Sequence, residues 1–364
     1  MEKKQFAKDL KVKDNVESIF LVKHIAMMEG RDGRSYLNLI LSDMTGDLEA
    51  RKWNEAENTA ESITRGDYVF IKGKMNSFQG RQQLIVQEIC TALPEKINPA
   101  DYVAKSKKEA DKLYQEITEI VESLDDVYIR DLLKNIMFDI EIERRIKMWP
   151  AGKSIHHAYQ GGLLEHLHSC VKLGSTLSKH YGVNRNFVVA GCLLHDICKI
   201  YELTDGNLTD YTEEGKLIGH LVKGIELLDW AAGKISHFPS GTRLHLKHIL
   251  ISHHGNSEYG SPKPPQTSEA NLVHLIDLMD SQMASFDAAK LSDNMSGNWT
   301  SYIKHLDRII YKVELPHYDK YLTTPEVVTS VSPSHPVELA PKVLKDTGPL
   351  KQSLADKLKN LKIE

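Results

Sequence analysis

The stretch Gly191-Cys192-Leu193-Leu194-His195-Asp196-Ile197-Cys198-Lys199 decides how this chain is read. An apolar run ends in an adjacent His-Asp pair, and a lysine follows three residues after the aspartate. A buried segment has no packing use for His, Asp and Lys in close succession, because burying unpaired polar or charged groups is costly. A metal ion is the most economical compensation, since imidazole and carboxylate are both good ligands for divalent transition metals. Neighbouring residues on a helix point about 100° apart. His195 and Asp196 can therefore hold one metal from two sides, or Asp196 can bridge two.

A lone His-Asp pair carries little, because such pairs arise by chance. The surrounding chain adds to it. Upstream, Gly161-Gly162-Leu163-Leu164-Glu165-His166 opens an apolar periodic segment. Downstream come Ile218-Gly219-His220, Ile249-Leu250-Ile251-Ser252-His253-His254-Gly255 and Val273-His274-Leu275-Ile276-Asp277-Leu278-Met279-Asp280. Each places His or Asp inside or at the end of an apolar helical stretch. One such residue is usually a satisfied core histidine; several in one part of the chain point to one shared site.

This order of His, His-Asp, His, His-His and Asp resembles the HD superfamily of metal-dependent phosphohydrolases, over about residues 150–315. The resemblance implies an all-helical domain in which His166 is the first metal ligand and His195 and Asp196 the central pair. His220, His253 and His254 fit the extra histidines of two-metal members, and Asp277 the closing aspartate. Asp280 is the alternative to Asp277, which is favoured because the superfamily's aspartate tends to be the first acid in such a segment. Lys199 matches a lysine often found just after the pair, where it meets a phosphate.

The whole chain has 364 residues, 41% hydrophobic and 26% charged, ordinary for a soluble protein of two or three domains. Its formal net charge of −4 gives no global hint of nucleic acid, although local patches can still bind polyanions. Four cysteines without a CxxC pair read as reduced thiols, and Cys198 as a packing residue. There is no signal peptide in the charged start Met1-Glu2-Lys3-Lys4 and no apolar run long enough for a bilayer, so a cytoplasmic protein with no membrane partner is expected.

Residues 1–93 read as a β-rich domain. Val16 to Val22, Tyr36 to Asp43, Leu48 to Trp53, Tyr68 to Asn76 and Gln82 to Ile89 have strand patterning, with a short helix between Asn54 and Thr64. Five strands with a helix before the fourth is the order of an OB-fold barrel. Such barrels bind single strands by joining basic residues to aromatic platforms. Candidates are Arg51, Lys52, Trp53, Lys72, Lys74, Phe78 and Arg81. The bland alternative is a core Trp53 and solvated lysines, and residues 1–93 hold fourteen Lys+Arg against fourteen Asp+Glu.

Residues 94–150 form a helical linker region, opened by Leu93-Pro94-Glu95-Lys96-Ile97-Asn98-Pro99 and continuing as two amphipathic helices over 106–124 and 126–147. Residues 151–320 form the HD-type domain. His157 within Lys153-Ser154-Ile155-His156-His157 is a candidate to contact a phosphate at the mouth, ahead of His156 and Lys153. The connection 201–216 reads as an acidic loop near the site. Gly255 suits a helix C-terminal cap, and His274 is open between core and support of the site. Residues 321–364 are rich in Pro, Ser, Thr and Val without periodicity and read as an extended or disordered tail.

The expected fold is therefore multidomain α+β, an N-terminal OB-like β-barrel followed by an all-α HD domain. This combination resembles the YhaM-type 3′–5′ exoribonucleases of bacteria, on Lys72-Gly73-Lys74, Gln79-Gly80-Arg81-Gln82-Gln83-Leu84, His156-His157-Ala158-Tyr159, the His166 segment and His195-Asp196. The resemblance implies metal-dependent removal of nucleotides from a free 3′ end, manganese favoured over iron, cobalt or magnesium, and a homo-oligomer. Single-stranded RNA is the implied substrate, with single-stranded DNA also open. Phosphodiester hydrolysis needs an activated water, a neutralised phosphate and a stabilised leaving oxygen, all of which two metals can supply. Five histidines and two aspartates exceed the needs of one metal, so two are expected, bridged by Asp196, with Lys199 and His157 steadying the phosphate. Two rivals remain: a phosphohydrolase acting on nucleotides or cyclic dinucleotides, and a non-catalytic single-strand-binding protein. The Gly-Tyr-Pro tripeptide of the cyclic-dinucleotide enzymes is absent after His253-His254-Gly255.

Overall fold

A computed structural model describes residues 3–30, 33–103, 106, 108–153, 157–204, 208–293, 295 and 297–313. The expected tail, residues 321–364, and His156 lie outside the described residues. Among the described residues no helix is long and apolar enough to cross a membrane.

The first part is a closed five-stranded barrel. Its strands are β1 (Asn15–Glu29), β2 (Ser35–Asp43), β3 (Gly46–Lys52), β4 (Tyr68–Phe78) and β5 (Arg81–Thr91), with helix α1 (Ala56–Ser62) before β4. The strand order is β1-β2-β3-β5-β4; β3 and β5 pair in parallel, and β1 closes the barrel antiparallel to β4. Inward residues alternate along each strand, as a two-residue period requires. Leu37, Leu39 and Leu41 of β2 meet Leu48 and Ala50 of β3, Ile71 of β4 and Leu84 of β5 in one core. β1 runs seven residues past the expected end at Val22. A bulge between Val22 and His24 bends it away from β4, and its second half pairs with β2 from Ile25↔Leu39 to Glu29↔Ser35. That half has little apolar alternation of its own; the ladder to β2 makes it a strand.

The second part is helical. Its elements are α2 (Ala110–Glu122), α3 (Val127–Met137), α4 (Ile140–Met148), α5 (Gly162–Tyr181), α6 (Arg185–Leu194), α7 (Lys199–Glu202), α8 (Glu213–Leu217), α9 (Gly219–Gly233), α10 (Ser240–Ser252) and α11 (Ser268–Ser292). The single helix expected over 126–147 is two. Asp139 ends the first and caps the next, accepting hydrogen bonds from the Glu141 and Ile142 amides. The acidic connection 201–216 also contains α8, capped by the Thr212 hydroxyl. Leu113, Ile117, Leu132, Leu133 and Ile146 of α2–α4 share one core with Leu163, Leu167, Val189, Leu193, Ile249 and Val273.

That core seats α6 at the centre, and Gly191 makes the approach of its neighbours tight. A Cβ added there would lie 2.7 Å from Ile249 Cγ2 on α10 and 2.8 Å from Val273 Cγ2 on α11. The opening stretch thus owes its glycine to the two helices that carry the downstream site residues. Gly191→Ala should therefore overpack this junction and destabilise the protein by about 1–3 kcal/mol, read as a fall of several degrees in the thermal midpoint. An unchanged midpoint would show that α10 and α11 can back away freely.

Candidate metal centre and nucleic-acid face

Helix α6 ends at Leu194, and the chain carries His195 and Asp196 on into the core, almost wholly buried. α5 brings His166, α9 His220, the end of α10 His253 and His254, and α11 Asp277. Their ligand atoms fall into two groups, each within 4.8 Å of one another: His166, His195, Asp196 and Asp277, and Asp196, His220, His253 and His254. Asp196 belongs to both, through different oxygens. Its Oδ2 lies 3.5 Å from His166 Nε2 and 3.6 Å from His195 Nε2. Its Oδ1 lies 3.4 Å from His220 Nε2 and 3.7 Å from His253 Nε2. Asp277 Oδ1 completes the first group, 3.4 Å from His166 Nε2 and 3.7 Å from His195 Nε2.

The outward ring nitrogens fix which nitrogen faces the centre. His195 Nδ1 donates to the Cys192 carbonyl at 3.0 Å, His253 Nδ1 to the Leu250 carbonyl at 2.8 Å, and His254 Nδ1 to the Tyr259 carbonyl at 2.8 Å. His220 Nδ1 sits 3.0 Å from both oxygens of Glu202. Such outer partners set tautomer and orientation for metal-binding imidazoles. Asp280 serves His166 in the same way, at 2.8 Å from Nδ1. Of the two alternatives, Asp277 faces the inner nitrogen of His166 and Asp280 the outer one, where it also meets His157.

The residues fit a cation. Asp196 Oδ1, His220 Nε2 and His253 Nε2 are buried without a hydrogen-bond partner, and they converge on one another. Buried polar atoms left this way cost about 1–3 kcal/mol each. In the first group, His166 Nε2 and His195 Nε2 face each other at 3.1 Å. Burial pushes the His253 imidazole down to about 4, against the pull of Asp196, so it is neutral at neutral pH as a ligand must be. Burial likewise lowers His254. Burial opposes the Asp196 charge, but Lys199 and the surrounding histidines overcome it and hold the carboxyl well below the usual carboxylate range. Cys170 Sγ is 3.8 Å from His166, but burial pushes this thiol up to about 11, and a neutral thiol is a poor ligand.

Lys199 reaches Asp196 Oδ2 at 2.6 Å. Burial works against its charge and Asp196 more than restores it, leaving the ammonium above its ordinary value. His157 departs from the expectation of a free phosphate contact. It is nearly buried, with Nδ1 3.0 Å from the Tyr159 hydroxyl and Nε2 3.0 Å from Asp280 Oδ2. Its backbone has φ +50°, and a Cβ on Gly162 would lie 2.0 Å from its carbonyl oxygen, so the neighbouring glycine permits the turn. Tyr159 in turn donates to Glu165 at 2.9 Å. His274 donates to the His253 carbonyl at 2.7 Å and lies against Gly255, whose φ is +84°.

On the barrel, the outer face of β2 and β3 carries an aromatic group. Tyr36 and Trp53 lie with ring centroids 4.6 Å apart, and the Arg51 guanidinium lies 5.3 Å from the Tyr36 centroid and 5.8 Å from that of Phe78. Trp53 is 38% exposed and Phe78 52%, so neither is core. Lys74 and Arg51 flank Ile85 from its two sides, and Arg81 is exposed at the start of β5. Lys72 stands two residues before Lys74 on the outer side of β4, beside Glu17 at 3.9 Å and Glu88 at 3.5 Å. Lys52 is a correction: it points inward, 3% exposed, and donates to the Gln87 carbonyl at 3.0 Å, so it cannot meet a strand on this face. An alternating register explains the difference, since Arg51 and Trp53 point outward and the residue between them must point in.

Comparison with known proteins matches both parts. Residues 19–90 match the family described as OB-fold nucleic acid binding domain, and residues 163–282 the HD domain family. The protein named 3′-5′ exoribonuclease YhaM of Oceanobacillus iheyensis is 32% identical over 302 residues, 82% of this chain and 94% of its own. Those of Listeria welshimeri and Halalkalibacterium halodurans are 31% and 30% identical, over 95% and 94% of their lengths. The chain belongs to the YhaM family. In this family member Glu202 and Tyr36 are the site neighbours that sequence reasoning missed. Glu202 carries no local signal; Tyr36 had one, as the outward aromatic at the head of β2.

Because Glu202 alone anchors the outer nitrogen of His220 among the described contacts, Glu202→Gln should weaken metal binding about 10–100-fold. Calorimetric titration with manganese reads this directly. Equal affinity in both proteins would mean that His220 is not part of a metal site.

Proposed function

We propose that this chain is a metal-dependent 3′–5′ exoribonuclease, working on single strands held by the barrel face and cut at the His/Asp centre. The observation that carries the reading is Asp196, whose two oxygens face two separate donor sets. His166, His195, Asp196 and Asp277 would hold one divalent ion, and Asp196, His220, His253 and His254 a second. Ions held there supply Lewis-acid polarisation of the phosphate, an activated water and charge for the leaving oxygen.

The chain's own residues do the rest. Lys199 keeps Asp196 ionised and places a cation beside the shared carboxylate, where phosphate oxygens arrive. His157 works through Asp280, orienting the carboxylate that fixes His166. Tyr36, Trp53 and Phe78 offer faces on which bases stack whatever their sequence, and Arg51 adds charge among them. Manganese as the working ion, single-stranded RNA as the substrate with single-stranded DNA also open, and a homo-oligomeric state belong to the same proposal and rest on the family resemblance; a cytoplasmic setting belongs to it too and rests on the charged start and the lack of a bilayer-length apolar run. The name that the relatives carry supports the 3′-to-5′ direction.

A time course with manganese on 5′-labelled single-stranded RNA should give a ladder shortening from the 3′ end, slowed by a 3′-phosphate. Asp196→Ala should reduce hydrolysis to background while leaving RNA binding largely intact; an active variant would sink the mechanism. If neither RNA nor DNA is shortened, the nucleotide-phosphohydrolase alternative takes over.

The platform has its own test. Trp53→Ala or Tyr36→Ala should weaken RNA binding by about 1–3 kcal/mol, some 5- to 150-fold, in fluorescence anisotropy. Binding at parental strength would remove this face from the account.

A further inference from the structure

Between the barrel and the helical layer lies a cleft of about 870 Å³, within the size range of small-ligand sites. Its barrel wall continues the aromatic face. Along β2, Leu37, Leu39 and Leu41 point into the core, so Tyr36, Asn38, Ile40 and Ser42 share the outer side. Tyr36 belongs to the platform, and Ile40 and Ser42 line the cleft. The row from Tyr36 to Ser42 spans roughly 20 Å at about 3.3 Å per residue. The opposite wall includes Lys153 and Tyr159 of the helical layer. Tyr159 touches His157, which touches Asp280, which holds His166. The cleft thus lies between the two sites: Ile40 and Ser42 share their strand with Tyr36, and Tyr159 is linked through His157 and Asp280 to His166.

Lys23, Arg65 and Lys153 line it together with the carboxylates of Asp43 and Asp47, so a phosphate entering it meets cations that are already paired. Arg65 of the barrel and Lys153 of the helical layer share a single carboxylate: Asp210 Oδ2 is 3.0 Å from Arg65 and Oδ1 is 2.6 Å from Lys153. Lys23 is held by Asp47 at 2.8 Å. All of these side chains are about a third exposed or more. Exposed ion pairs of this kind contribute little to stability, so exchange of one carboxylate for a phosphate is cheap. Arg and Lys converging from two walls on one acceptor already hold the spacing an incoming phosphate would use.

We infer that this cleft is the track along which the substrate strand runs from the aromatic platform to the metal centre, with Arg65 and Lys153 gripping its phosphates and Asp210 as the internal counter-ion they release. The inference rests on the reading of the chain as a single-strand exonuclease and specifies how that strand reaches the site.

The test measures binding and hydrolysis separately on the metal-loaded full chain. Binding uses a 12-nucleotide RNA whose last two 3′ linkages are phosphorothioates, followed by fluorescence anisotropy between 50 and 200 mM salt. Arg65→Ala and Lys153→Ala should each weaken binding about tenfold and flatten the salt dependence, each by close to one phosphate contact. Lys153→Arg should retain the affinity, which separates lost charge from lost fold. Asp210→Ala should tighten binding two- to threefold, because it removes the competitor. If Asp210→Ala weakens binding as much as Arg65→Ala, the three residues are only a clasp between barrel and helices, and the track is overturned. Arg65→Ala and Lys153→Ala proteins that bind like the parent would overturn it too. A parent that binds this RNA through Arg65 and Lys153 yet never shortens an ordinary RNA would overturn the exonuclease reading and leave the track standing.

Discussion

The constraint on which the helical part depends is a carboxylate set in the apolar core, almost wholly buried. Asp196 is ionised in the core, with one oxygen turned to His166 and His195 and the other to His220 and His253. An isolated charge in such a place would neutralise itself or unfold its surroundings. Here four helices deliver imidazoles around it, and backbone carbonyls of Cys192, Leu250 and Tyr259 hold three of those rings by their outer nitrogens. The helices can come that close because Gly191 and Gly174 leave no Cβ in the way: a Cβ at Gly174 would lie 2.9 Å from Cys192 Sγ. Packing and chemistry are thus one problem at this point, since the same short stretch that fills the core also carries the charge.

Much of this was legible because polar residues in apolar runs are a local signal. His166, His195-Asp196, His220, His253-His254 and Asp277 each stand out against their own helix, and the structure brings all of them together. The barrel was legible from alternation. What was hidden depends on partners far along the chain. The second half of β1 is a strand because β2 lies beside it. Glu202 matters because α9 places His220 against it. Asp277 and Asp280 share one side of α11, one turn apart, and only the two nitrogens of His166 tell them apart. Lys52 misled because basic residues adjacent in sequence look alike, whereas strand register sends neighbours to opposite sides.

Charge argues for a particular way of holding a strand. The chain carries a net charge of −4, and several cations of the barrel are already paired: Lys72 with Glu17 and Glu88, Lys23 with Asp47, Arg65 with Asp210. On the proposed reading, a phosphate contact at Arg65 or Lys153 exchanges one ion pair for another, so its gain is reduced by the pair it breaks. Stacking on Tyr36, Trp53 and Phe78 then supplies most of the affinity, and it is indifferent to sequence. A strand held this way is bound firmly enough to align its end with the metal centre. It is also held loosely enough to advance, because stacking is indifferent to register and the cations of the cleft have Asp47 and Asp210 to return to. An enzyme that removes residues one after another from a chain of arbitrary sequence needs both properties. A strongly basic cleft would satisfy only the first.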